Sequence, residues 1–143
     1  CQKTWEDSPY GREKDFYGTS NKNRNAMTTD GTARIMEEIM QNISFNEKNI
    51  NLKNSLFREI KEQSQDKDTN NQINGFLGEG LPQKTPFWSK AGLMSEARHD
   101  AAWWINKNQS KTLLVVFTEG KELANNNKFL PEFSKAIYEF IHP

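Results

Sequence analysis

The residues best equipped for chemistry lie close together in the 143-residue chain: Lys90-Ala91-Gly92 and, a few positions on, Arg98-His99-Asp100. Two cations in such a stretch can hold an anion, and a histidine beside a carboxylate has the makings of a general base. On residue type alone each has a plainer reading. Lys90 fits an exposed strand lysine. His99 has no serine or cysteine near it in sequence, so it is expected to be structural or to stand at the rim of a site. Asp100 fits a ligand to backbone amides better than a catalytic acid. Ser64-Gln65-Asp66-Lys67 puts a serine and a lysine close together, but in a polar run with Asp66 and Asp68 at hand. Nothing there would desolvate the lysine and lower its proton affinity. Cys1, at a terminus, is no nucleophile. A single cysteine excludes an internal disulfide and a Cys-based zinc site. Gly75, Gly78 and Gly80 do not follow the order of a phosphate loop. No metal or organic cofactor is implied.

The elements that must position these residues are legible from periodicity. Thr28-Thr29-Asp30 supplies good N-cap types, and Ala33, Met36, Ile39, Met40 and Ile43 then recur at helical steps. This predicts a helix whose methionines are core. A second helix is expected near Asn51 on Leu52, Leu56 and Ile60, dissolving into a polar loop over residues 63–71. Phe87–Gly92, Ala101–Ile105 and Leu113–Phe117 read as three strands in an antiparallel meander, with residues 106–110 as a turn. Trp103 and Trp104 should then point to opposite faces, one into a core and one under a helix. A last helix from about Pro131 would bury Phe133, Ala136, Ile137, Phe140 and Ile141. Nineteen basic and nineteen acidic residues cancel, which argues against general nucleic-acid or anionic-membrane binding. No apolar run approaches the ~20 residues of a membrane span. Leu, Ile, Val and Phe total 29 residues, so the core is thin.

The order of these features resembles the C-terminal half of the serine beta-lactamase and D-Ala-D-Ala peptidase superfamily, especially its class A-like and penicillin-binding members. Lys90-Ala91-Gly92 stands where that family has a Lys-Thr/Ser-Gly triplet on a strand bordering the active site. Gly80-Leu81-Pro82 precedes it and Arg98-His99-Asp100-Ala101-Ala102 opens the next strand, as in many relatives. The Thr28-Thr29 helix start is similar to that of the helix after the omega loop. The resemblance covers roughly residues 26–141. It implies that Lys90, Ala91, Gly92, Leu93 and Arg98 bind substrate. Lys90 and Arg98 would hold its carboxylate, Gly92 would leave room against the backbone, and the Leu93 amide would be an oxyanion donor. Glu6, in Trp5-Glu6, resembles the omega-loop glutamate that activates the deacylating water. The departures are a missing hydroxyl at Ala91 and an absent nucleophile, since Ser64–Lys67 and Ser44-Phe45-Asn46 match the remaining motifs only by letters.

The expected architecture is therefore α+β. Residues 1–27 form an irregular segment that includes the omega-loop region, and residues 28–143 form the C-terminal part of a beta-lactamase-like domain. That domain should be a three-stranded antiparallel meander with preceding helices and a C-terminal helix packed on the sheet. A start at Cys1 fits a chain lacking an upstream part. The Leu113–Thr118 strand would then present a bare edge, an aggregation liability, to be covered by a second copy of the chain or by residues 1–27. Two functions follow. One is the C-terminal portion of a serine hydrolase cleaving beta-lactams or cell-wall peptide amides through an acyl-enzyme, inactive as the isolated chain. The other is a non-catalytic peptide- or partner-binding module on the same fold. A bacterial, exported location is implied by the resemblance alone.

Overall fold

The computed structural model describes residues 26–41 and 73–142. Glu6 with the rest of residues 1–25, the second expected helix, the polar loop after it, Ser44-Phe45-Asn46 and Ser64–Lys67 all lie outside the described residues. The described elements are helix α1 (Thr29–Met40), a 3-10 turn (Leu77–Gly80), strands β1 (Phe87–Met94), β2 (Ala97–Ile105) and β3 (Lys111–Val116), a short helix α2 (Lys121–Asn125) and helix α3 (Phe129–Ile141). The strands form one antiparallel sheet in the order β1-β2-β3. This is an α+β arrangement, with α1 on one face of the sheet and α3 with the 3-10 turn on the other.

Strand alternation sorts the side chains between the two faces. Phe87, Ala91, Ala102 and Trp104 join Leu77, Leu81 and Leu130 in the larger core, against which Ile137 and Tyr138 pack. Met36 and Trp103 form a smaller core on the opposite face, with Ile39, Met40, Trp88 and Leu113 against them. Trp104 and Trp103 therefore divide as the pattern requires, one under α3 and one under α1. Burying a large apolar side chain contributes about 1.5–3 kcal/mol, so Trp104, Phe87, Leu77 and Leu130, all completely buried, dominate the larger core. The indole N–H of Trp104 is satisfied by Asn106 Oδ1 at 2.8 Å, and Asn106 Nδ2 donates to Ser110 Oγ and Thr112 Oγ1. One asparagine thus closes the β2–β3 turn and removes the polar cost of the core tryptophan.

Helix α1 starts where the capping residues place it: Thr28 is extended and its Oγ1 accepts from Gly31 N at 3.0 Å, a cap worth about 1 kcal/mol. The C-terminal helix differs from expectation in start and in face. It begins at Phe129, with Pro131 inside the first turn, and it buries Leu130 and Ser134. Phe133, Phe140 and Ile141 are exposed, Phe140 to 83 %; of the five residues expected in the interface, Ile137 packs on the core. The cause is a close approach between α3 and the 3-10 turn. A Cβ on Gly80 would stand 2.0 Å from Pro131 O and 2.3 Å from Ser134 Oγ. Only glycine allows this contact, and Ser134 Oγ uses it to donate to Leu77 O at 2.7 Å. A small polar residue faces the turn, and the larger phenylalanines rotate outward.

Candidate active-site groove

Lys90 lies on β1 with Gly92 two residues on, so both face the α1 side of the sheet. The antiparallel register sets Lys90 opposite Ala101 and Gly92 opposite His99. These residues, with Phe117 beyond β3, form one wall of a groove of about 310 Å³. The other wall is apolar and comes from Met27 and from Ile35, Met36 and Ile39 of α1. Lys90 is exposed, and its Nζ donates to the carbonyl of the adjacent Ala91. The space above Gly92 is open: a Cβ there would meet nothing within 4 Å. A ligand can therefore lie against the strand backbone beside the Lys90 ammonium group, with apolar contacts opposite.

The remaining residues of the expected site are divided by the same alternation. Ala91 is 5 % exposed and belongs to the larger core on the far face; what it offers the groove is backbone. Leu93 lies near the end of β1 with its side chain 56 % exposed. Arg98 is not brought to Lys90. It faces the far side of the sheet at 7 % exposure, where Nε donates to Ala124 O and an Nη donates to Gly75 O, both at 3.0 Å. Its guanidinium also lies 5.0 Å from the Phe76 ring centre. Arg98 thus fastens α2 and the loop before the 3-10 turn to β2, and the reason it cannot serve the groove is strand phase.

His99, one residue later, faces the groove in its place. Its Nδ1 accepts from Thr118 N at 3.1 Å, and its ring lies 4.7 Å from that of Phe117. The expectation of a structural residue or a rim residue thus resolves into both. Thr118, which no motif marks, belongs with the site residues through this contact. It also exchanges hydrogen bonds with the backbone of Arg98, at 3.1 and 2.7 Å, so it sets the two neighbouring side chains to their opposite faces. Phe117 and Ile35 escaped the sequence reading as groove residues for a similar reason. Each lies at the end of an element or one step from its apolar stripe, and no local pattern marks it.

Asp100 is a ligand to the backbone, as its type suggested. It is completely buried on the far face, and Oδ2 accepts from Leu77 N at 3.1 Å. Burial raises its carboxyl pKa from 3.8 to about 7, against the opposing influence of that hydrogen bond, of a hydrogen bond from the Ala101 amide and of the Lys90 charge. Oδ1, like the buried Ser89 Oγ on the same face, has no hydrogen-bond partner among the described residues. Among the described residues no group of three or more His, Cys, Asp or Glu could hold a metal ion, and no helix is long and apolar enough to cross a membrane.

Comparison with known proteins gives this geometry a context. The fold is similar to that of a beta-lactamase from Streptosporangium roseum, with a TM-score of 0.64 at 16 % identity over 90 % of this chain and 47 % of that one. It is also similar to that of PBP-A, with a TM-score of 0.57 at 15 % identity over 94 % of this chain and 51 % of the other. The chain spans about half the length of each. No curated protein sequence matches it. The family model for the beta-lactamase enzyme family matches residues 5–141. With that match over nearly the whole sequence, and with the fold in agreement, the chain belongs to the beta-lactamase enzyme family.

Proposed function

We propose that the chain is the C-terminal portion of a serine beta-lactamase-like hydrolase. Its Lys90 groove binds the carboxylate of a beta-lactam or of a cell-wall peptide whose amide is cleaved through an acyl-enzyme. The observation that carries this reading is the pairing of one lysine with an open glycine on a strand, facing an apolar wall. A fixed ammonium beside a low-dielectric surface favours a carboxylate with an apolar body. In this reading the Leu93 amide is an oxyanion donor, Glu6 activates the deacylating water, and the acylated serine comes from outside this chain. Arg98 takes no part, because it is fastened to the other face. A second copy of the chain pairs with the outer edge of β3, which has no partner strand among the described residues.

A second reading, a binding module without catalysis, is favoured by one observation. Ala91 lacks the hydroxyl that the family uses, and its methyl group is in the core. A nitrocefin assay together with a binding titration separates the two. The isolated chain should not turn over nitrocefin and should bind benzylpenicillin, with Lys90→Met weakening binding at least tenfold. Turnover by the chain alone would refute the claim that its nucleophile lies elsewhere. Binding unchanged in Lys90→Met would refute the role of the groove.

A further inference from the structure

With Arg98 turned away, Lys90 is the one cation of the original pair left at the groove, and a carboxylate has two oxygens to satisfy. We propose that His99 is the second donor to the bound anion, acting through its Nε2–H. This rests on the reading of the Lys90 groove as a carboxylate site.

Three observations carry the inference. First, the tautomer is dictated by a backbone group. Thr118 N can only donate, so Nδ1 of His99 must accept, and in the neutral ring the proton is on Nε2. Nε2 has no partner among the described residues. Second, the ring is held. The Thr118 hydrogen bond anchors one side and the Phe117 ring, 4.7 Å away, limits swinging on the other. A pre-oriented donor loses little freedom when an anion arrives. Third, the placement converges. Lys90 and His99 are diagonal neighbours on one face of the β1–β2 pair, a relation that sets Cα atoms about 7–8 Å apart, within reach of long side chains. Between them stands Gly92, paired with His99 and with nothing within 4 Å of where a Cβ would lie. An anion seated over Gly92 is bracketed by the ammonium on one side and the imidazole N–H on the other.

The test uses the complete 143-residue chain and NMR titration with benzylpenicillin, which carries the carboxylate, and with its methyl ester, which does not. Two histidine variants separate the ring's two ends. His99→Asn keeps an acceptor near the Nδ1 position for Thr118 N and loses the distal donor. His99→Gln carries an amide N–H near the position of Nε2. The acid should bind at least tenfold more tightly than the ester. His99→Asn should weaken acid binding by about tenfold, as expected for loss of a hydrogen bond to a charged group, with the Thr118 amide resonance little moved. His99→Gln should return to within about threefold of wild type.

The outcomes are distinct. If Lys90→Met loses binding and His99→Asn does not, the His99 inference is wrong and the groove reading stands. If both histidine variants weaken binding equally and both displace the Thr118 resonance, His99 is structural and the inference is again wrong. If the wild-type chain binds neither probe, or Lys90→Met binds as wild type does, the groove reading fails and takes this one with it.

Discussion

Asp100→Asn isolates the one carboxyl among the described residues whose pKa burial raises strongly. The carboxyl is completely buried; Oδ2 accepts from Leu77 N, the Ala101 amide also favours the charged form, and Oδ1 has no hydrogen-bond partner among the described residues. The amide keeps the shape and still offers an oxygen to Leu77 N. Burial lifts the pKa from 3.8 to about 7, a span of about three units. At about 1.4 kcal/mol per unit this corresponds to about 4 kcal/mol. The sign follows from proton counting. Below pH 4 both folded and unfolded chains hold the proton. Between pH 4 and 7 only the folded chain does, so stability falls as pH rises. Above pH 7 both forms are ionised and the full cost is reached. Local opening of the 3-10 turn would relieve part of it, so 4 kcal/mol is the upper bound. The assay is urea unfolding of the complete chain, followed by tryptophan emission from pH 4 to 8.5, for wild type and Asp100→Asn. Other titrating groups are common to both proteins and cancel in the difference. The variant's relative stability should grow by up to about 4 kcal/mol across that window and then level off. A difference that stays flat from pH 4 to 8 would refute the reasoning, because it would mean that the carboxyl is ionised at no cost.

Two further tests address the scaffold and the assembly. Gly80→Ala should destabilise the chain by about 3 kcal/mol, since the added methyl meets a backbone carbonyl at 2.0 Å that can move only if all of α3 shifts. Thermal unfolding checks this, and an unchanged melting temperature would show that the turn and helix are not locked together. Pairing of a second copy along the β3 edge should make the sedimentation coefficient rise with concentration; a monomer at every concentration would rule that edge out as a self-association surface.

Much of this architecture is legible in the residues. The cap at Thr28, the three strands and the split of Trp103 from Trp104 all follow from local pattern, because each depends on neighbours within a few positions. The face of α3 does not. Its most apolar side chains, Phe133 and Phe140, suggest one interface, whereas the contact is chosen by Gly80, some fifty residues earlier, and by the hydroxyl of Ser134 that satisfies Leu77 O. The phase of β2 was illegible for a different reason. The run Ala101-Ala102-Trp103-Trp104 is apolar on both faces, so no alternation shows on which side Arg98 emerges. That Lys90 lies on a strand could therefore be read locally, while the turning of Arg98 to the far face and of His99 to the groove required the register.

The neighbouring indoles have an optical consequence. Trp103 is 6 % exposed with the Lys111 ammonium 6.0 Å from its ring centre, and Trp104 is fully enclosed and hydrogen-bonded to Asn106. Two chromophores one peptide apart thus sample different fields, one near a cation at the α1 layer and one in the dry interior beneath α3. With Trp5 and Trp88 replaced by phenylalanine, the remaining emission is the sum of these two indoles. Met36 both lines the groove and packs on Trp103, so a ligand that moves Met36 would shift the Trp103 component of that sum, while the Trp104 component, on the other face of the same strand, would stay in place.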